Sequence, residues 1–106
     1  MSVDLATIPF TSRRVFTVSA TSGPSTRGGH TAGCEEFIAL VTGGARFRVT
    51  RRNETVPNEV ILDEPGRWVL IAADDYVEYD LLSEDSTIIV FASETFDQSR
   101  QKRDVR

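Results

Sequence analysis

Phe37-Ile38-Ala39-Leu40-Val41-Thr42-Gly43-Gly44-Ala45-Arg46-Phe47-Arg48-Val49 is the stretch whose reading decides the fold. Phe37 to Val41 is a continuous apolar run of strand length, so both faces of that strand need cover. Thr42-Gly43-Gly44 then interrupts it with turn chemistry. Beyond the turn, Ala45 to Val49 alternates apolar and charged residues, which sets one face in a core and the other in water. Both patterns recur downstream: Val77-Glu78-Tyr79-Asp80-Leu81 alternates, and Ile88-Ile89-Val90-Phe91-Ala92 is continuously apolar. Arg14 to Val18, Val60 to Leu62 and Trp68 to Ile71 read as further short strands. Ser22-Gly23-Pro24, Gly28-Gly29, Arg52-Asn53-Glu54 and Glu64-Pro65-Gly66 supply the turns between them. Many short strands at such spacing predict an all-β sandwich or barrel.

The 106 residues form one predicted domain, 1–106, with a polar tail over 93–106 that is either a short helix or frayed. A hydrophobic share of 40% suits a globular chain rather than a disordered one. A chain this short leaves much apolar surface uncovered, so a partner subunit is expected. The single cysteine, Cys34, excludes an intramolecular disulfide and a cysteine metal cluster. The opening Met1 to Phe10 lacks a basic segment followed by an apolar run, so no signal peptide is read there. No stretch approaches the ~20 apolar residues that span a bilayer. A cytoplasmic location without membrane attachment is the expectation.

Charge is unevenly spread. Between Thr11 and Asn53 lie Arg13, Arg14, Arg27, Arg46, Arg48, Arg51 and Arg52 against Glu35 and Glu36 alone, whereas Glu54 to Ser86 is acidic with only Arg67. A net charge of -4 argues against non-specific nucleic-acid binding. Local arginines still suit a small anion such as a diphosphate.

His30 is the one histidine and ends Arg27-Gly28-Gly29-His30. Glycines ahead of a side chain let the backbone turn sharply and present it at a cavity mouth, and imidazole is the group best suited to proton transfer near neutral pH. On spacing alone the better reading of His30 is an ordinary histidine of a Gly-rich turn. With Glu36 and Gly43 it also matches the spacing of the first cupin motif, in which a His-x-His pair, a Glu and a closing Gly supply metal ligands. Here the second position is Ala32, and the later stretch Trp68 to Tyr76 holds no histidine. Catalytic transition metals usually take three protein ligands, so no metal is expected.

Ile8-Pro9-Phe10, Arg14-Val15-Phe16, Arg27-Gly28-Gly29-His30, Glu36, Thr42-Gly43-Gly44, Leu62-Asp63-Glu64-Pro65 and Phe91-Ala92-Ser93 occur in order at offsets that resemble the sugar-nucleotide 3,4-ketoisomerases. Those are metal-free cupins acting on dTDP-4-keto-6-deoxyhexoses. The resemblance spans roughly residues 7 to 97 and implies a jelly-roll cupin barrel, a homodimer, a nucleotide-sugar ligand and no cofactor. It also implies a proton shuttle that moves a ketone from C4 to C3 through an enediol. By that matching His30 is the base, and Arg14, Phe16, Arg27, Glu36 and Tyr76 are the substrate-binding positions. The arginines would support the turn or contact diphosphate, and Tyr76 would be the aromatic near the barrel mouth.

The chain departs from the family pattern in three places. Ala32 stands for the second histidine, Phe16-Thr17 stands where a pair of tyrosines is favoured, and the chain begins where members have already run through an N-terminal strand. Read without the resemblance, Phe16, Phe37, Phe47, Trp68 and Phe91 are core, Glu36 points to solvent, Arg46 and Arg48 form a solvated face, and Cys34 is packing. Three functions fit: a ketoisomerase, a non-catalytic nucleotide-sugar-binding or assembly module that lost the Ala32 histidine, and a metal-free cupin for an unrelated small molecule.

Overall fold

The computed structural model describes residues 1–20, 26–95 and 97–98. A short 3-10 turn, Leu5–Thr7, precedes eight strands: β1 Arg14–Ser19, β2 Thr26–Thr31, β3 Glu36–Thr42, β4 Ala45–Thr50, β5 Asn58–Leu62, β6 Trp68–Ile71, β7 Tyr76–Leu81 and β8 Thr87–Ala92. They form two four-stranded antiparallel sheets, ordered β1-β8-β3-β6 and β2-β7-β4-β5. Every connection except β4 to β5 crosses from one sheet to the other, which makes a jelly roll.

The strand patterns explain the layering. β4 is buried at Ala45, Phe47 and Val49 and β7 at Val77 and Leu81, so the apolar half of each alternation lines the space between the sheets. There they meet Ile38 and Leu40 of β3, Val69 and Ile71 of β6, and Ile88 and Val90 of β8. β3 and β8 are the central strands of their sheet, so their second apolar face is covered as well. Ile8 joins Phe37, Ala39 and Phe91 there, with Val3, Phe10, Leu70 and Ile89 packed alongside.

The crossing from β3 to β4 shows why Thr42-Gly43-Gly44 is built as it is. Gly43 has φ 78°, and a Cβ there would lie 2.6 Å from Ser86 Cα. The fully buried Ser86 accepts at Oγ from the Gly44 N–H (3.0 Å) and the Ser83 N–H (3.0 Å). Two crossings are thereby fastened to each other at one end of the molecule.

Two sequence expectations change: Trp68, read as core, is exposed at the start of the edge strand β6, and the first glycine pair is not a turn. Gly28-Gly29, read as a turn, lies inside β2, an edge strand paired with β7. Thr26 to Thr31 lacks the apolar alternation of a strand because its outward positions and its glycines face water rather than the core. The Ser22-Gly23-Pro24 turn and most of the polar tail lie outside the described residues.

Candidate functional site

The β2–β7 register decides where the candidate side chains point. Arg27 pairs with Tyr79 and Gly28 with Glu78, but the next partner, Val77, belongs to His30, and Gly29 is the extra residue of a bulge. Directly opposed residues of an antiparallel pair share a face. Tyr79 packs on the inner core and Val77 belongs to it, so Arg27 and His30, three residues apart, both take the inner face. Were the same residues paired without the bulge, His30 would oppose Tyr76 and turn outward.

Glycine is required at the first bulge position. Gly28 has φ 83°, and a Cβ there would sit 2.6 Å from the Val77 carbonyl oxygen. Gly29, φ 77°, has the Tyr76 hydroxyl 3.7 Å from its Cβ position. His30 itself is exposed. β5 and β6 meet along one side of the sandwich, and β1 and β2 are the edge strands at the other. His30 is therefore an inner-face residue reachable from solvent at the β1–β2 side.

β1 lends two more of the predicted residues to the same space. Phe16 packs against the inner core, and Arg14, two residues before it, shares its face. The Arg14 guanidinium carbon stands 5.0 Å from the Phe16 ring centroid. Arg14 pairs with Ala92, and Ala92 pairs in turn with Glu36. These three make one row across the sheet, with the small alanine between two long charged side chains. Glu36, read as a solvent residue without the resemblance, is half-buried and has the face of Ile38 and Leu40. Arg27 donates from Nη2 to the Ser19 carbonyl (3.1 Å), and its buried Nε has no hydrogen-bond partner among the described residues.

Tyr76 is placed apart from this group. It opposes Thr31 and Thr50 on the outer face of its sheet and is exposed. The inner-face tyrosine is Tyr79, which sequence reasoning did not single out. Its signal was already in the 77–81 alternation, where Val77, Tyr79 and Leu81 share a face. Tyr79 stacks on Phe47 with centroids 4.8 Å apart and 20° between planes. Burial raises its hydroxyl above the ordinary phenol range, Arg27 opposes that shift, and Glu36 adds to it. Arg27 from β2 and Glu36 from β3 are thus its charged neighbours.

Ala32 is 3% exposed and belongs to the inner core. Its N–H donates to the Asp75 carbonyl (2.8 Å), and its carbonyl accepts from the Asp74 N–H (3.0 Å). The buried Asp75 carboxylate accepts from the Ala72 N–H (2.8 Å) and from Arg51. Cys34 is buried. Arg46 and Arg48 lie on the outer, partly solvated face as expected, and there both donate to Asp80 Oδ2 (3.3 and 2.8 Å), while Thr26 donates to Oδ1 (2.7 Å). Among the described residues no group of three His, Cys, Asp or Glu side chains is placed to hold a metal, and no helix is long and apolar enough to cross a membrane.

A family model described as WxcM-like, C-terminal, matches residues 2–106. No curated protein matches the chain. Among solved structures, the chain is similar to QdtA, a sugar 3,4-ketoisomerase from Thermoanaerobacterium thermosaccharolyticum in complex with TDP, with 24% identity and a TM-score of 0.73 over 87% of this chain and 66% of that one. A 3,4-ketoisomerase from Helicobacter canadensis gives 18% identity and 0.73 over 97% of this chain and 84% of that one. WlaRA, a TDP-fucose-3,4-ketoisomerase from Campylobacter jejuni, gives 22% and 0.72 over 85% and 66%. The chain thus spans just under two thirds of the length of QdtA and WlaRA and shares their fold. With the jelly roll built and the model matched along nearly its whole length, the chain belongs to the WxcM-like, C-terminal family.

Proposed function

We propose that this chain is a ketoisomerase-like cupin that moves a keto group between C4 and C3 of a dTDP-4-keto-6-deoxyhexose, with His30 as the base. The observation that carries this reading is the glycine bulge of β2. It turns the one histidine of the sequence onto the inner face beside Arg27, where it stays exposed to solvent. Bulges that re-aim one side chain recur beside active sites. The solved ketoisomerases of the same fold, one of them in complex with TDP, support the substrate class.

The C3 proton of a 4-keto sugar is acidic because the carbanion electrons delocalise into the adjacent carbonyl. His30 removes it, the pair forms the C3–C4 double bond of an enediol, and the imidazolium returns the proton at C4. Arg14 and Arg27 are the cations nearest this chemistry and suit the diphosphate or the developing oxyanion. Phe16 offers an apolar surface, and Glu36 closes the row from β3. Tyr76, on the outer face with its hydroxyl over Gly29, enters the reading only as a residue of the rim. The site is taken to work without metal or cofactor. The homodimer belongs to the same reading, supported by the exposed Val15 and Trp68 on the outer face of the β1-β8-β3-β6 sheet.

The test is solvent-deuterium incorporation at C3 of TDP-4-keto-6-deoxyglucose. The His30→Asn variant should lose about 10²–10⁴-fold in exchange rate while staying folded, the range general base catalysis contributes. Exchange unchanged in that variant would remove His30 from the role. The buried Ala32 favours a second reading, a nucleotide-sugar-binding module without catalysis, because an apolar residue fills the place of the second histidine. A wild-type protein that binds TDP and exchanges no deuterium would establish that reading instead.

A further inference from the structure

We propose that Tyr79 is a second catalytic residue of this site, carrying a proton between O4 and O3 of the keto sugar while His30 carries the proton between C3 and C4. The proposal rests on the ketoisomerase reading above and addresses a requirement that His30 alone leaves open. Turning a 4-keto-3-hydroxy sugar into its 3-keto-4-hydroxy isomer moves two protons, one between carbons and one between oxygens. The His-x-His position that would hold another imidazole is Ala32, inside the apolar core.

At the described strand positions of the inner face, His30, Glu36 and Tyr79 carry the imidazole, carboxyl and phenol groups that can give or take a proton. Tyr79 is the diagonal neighbour of His30 across the β2–β7 pair. Such neighbours stand roughly 7–8 Å apart between backbones, so both side chains project into the same stretch of the inner face. The Tyr79 ring is fixed by its stack on Phe47, and Arg27 lies beside it in the same row. Burial holds the phenol protonated, so it begins as a hydrogen-bond donor, while the positive charge of Arg27 eases a transient phenolate.

Protons and electrons balance over the cycle. His30 takes the C3 proton, the C3–H electron pair becomes the C3–C4 double bond, and the C4 carbonyl pair moves onto O4. Tyr79 gives its phenolic proton to O4, leaving a phenolate and a neutral enediol. The phenolate then takes the O3 proton and is restored. The O3–H pair closes the new C3 carbonyl, and the double-bond pair takes the proton from imidazolium at C4. Both residues end as they began, with no oxidant, reductant or further co-reactant.

Tyr79→Phe keeps the ring and its stack on Phe47 and removes only the hydroxyl. Return of a proton to C3 needs no oxygen relay, whereas collapse to the 3-keto isomer does. The variant should therefore form product about 10²-fold or more slowly, bind TDP as the wild type does, and show a raised ratio of C3 deuterium exchange to isomerisation. A fold defect alone would lower both together and leave that ratio unchanged. Tyr79→Phe with wild-type turnover and an unaltered ratio overturns the assignment while leaving His30 as base. The same raised ratio in Glu36→Gln, with Tyr79→Phe normal, overturns it in favour of Glu36. A wild-type protein inert toward the keto sugar overturns the ketoisomerase reading beneath it.

Discussion

Two glycine pairs, Gly28-Gly29 and Gly43-Gly44, do opposite work in this molecule. Gly43 sits where the chain leaves one sheet for the other, hard against the buried Ser86. Its left-handed backbone closes the structure, and nothing reactive stands beside it. Gly28 and Gly29 sit within an edge strand, and their left-handed backbones keep the strand running while rotating His30 inward. The first pair to be met in the chain aims a side chain, and the second fastens two crossings together. A Gly-Gly dipeptide thus means closure where the neighbours are buried and re-aiming of a side chain where they lie on an exposed edge strand.

Substitutions can break or sharpen this contrast. The largest stability loss belongs to Gly43→Ala, which combines the unfavourable φ with a Cβ 2.6 Å from Ser86 Cα. Backbone strain and overpacking together should cost about 3 kcal/mol, read by urea denaturation. TDP binding by the folded fraction should persist. Gly28→Ala should cost less, about 2 kcal/mol, because β2 is an edge strand that can shift. Its effect on C3 exchange should be the larger one, about 10²-fold, as expected for a displaced catalytic group. If Gly28→Ala lost stability and kept exchange, the bulge would be only structural and the contrast would fail.

Ser86→Ala tests the closing pair from its other side. It leaves the Gly44 and Ser83 N–H groups without their shared acceptor, which should cost about 1–2 kcal/mol and leave exchange by the folded protein intact. The smallest effect is expected at Asp80→Asn on the outer face, behind the site. Arg48, Thr26 and Arg46 hold the Asp80 carboxyl well below the usual carboxylate range. A carboxyl depressed in the folded state stabilises above its unfolded pKa of about 3.9, and that contribution is lost as pH falls toward the lower folded value. The stability difference between wild type and Asp80→Asn should therefore be constant near neutrality and shrink below about pH 4. A difference that grew on acidification would contradict the pairing.

The fold was legible where burial wrote itself into the alternation. Phe47 and Val49 in β4 and Val77 and Leu81 in β7 declared their face by period, and the continuous runs of β3 and β8 declared central strands. β2 was not legible, because Arg27-Gly28-Gly29-His30 has no period to read and its pairing depends on β7, far along the chain. The same distance hid the site in part. Glu36 takes its face from Ile38 and Leu40, which was readable, but its row with Arg14 requires Ala92 between them. Tyr76 and Tyr79 fall on opposite faces of one strand; the 77–81 alternation turns Tyr79 inward, but only the register with β2 puts Arg27 and His30 beside it.

The bulge also bears on how such a protein can change over generations. Two regular ladders lie one step away from it, and they differ in where they point His30. If every residue is kept and the bulge is ironed out, His30 moves opposite Tyr76 and faces outward. If the codon for Gly29 is lost instead, the ladder becomes regular with His30 still opposite Val77 and still facing inward. A point change at Gly28 that forbids its left-handed backbone therefore pushes the strand toward the first ladder and turns His30 outward. Loss of the neighbouring codon would rescue it by giving the second. The order of the two events then matters: deletion first keeps His30 facing inward throughout, whereas substitution first passes through an intermediate in which it faces outward.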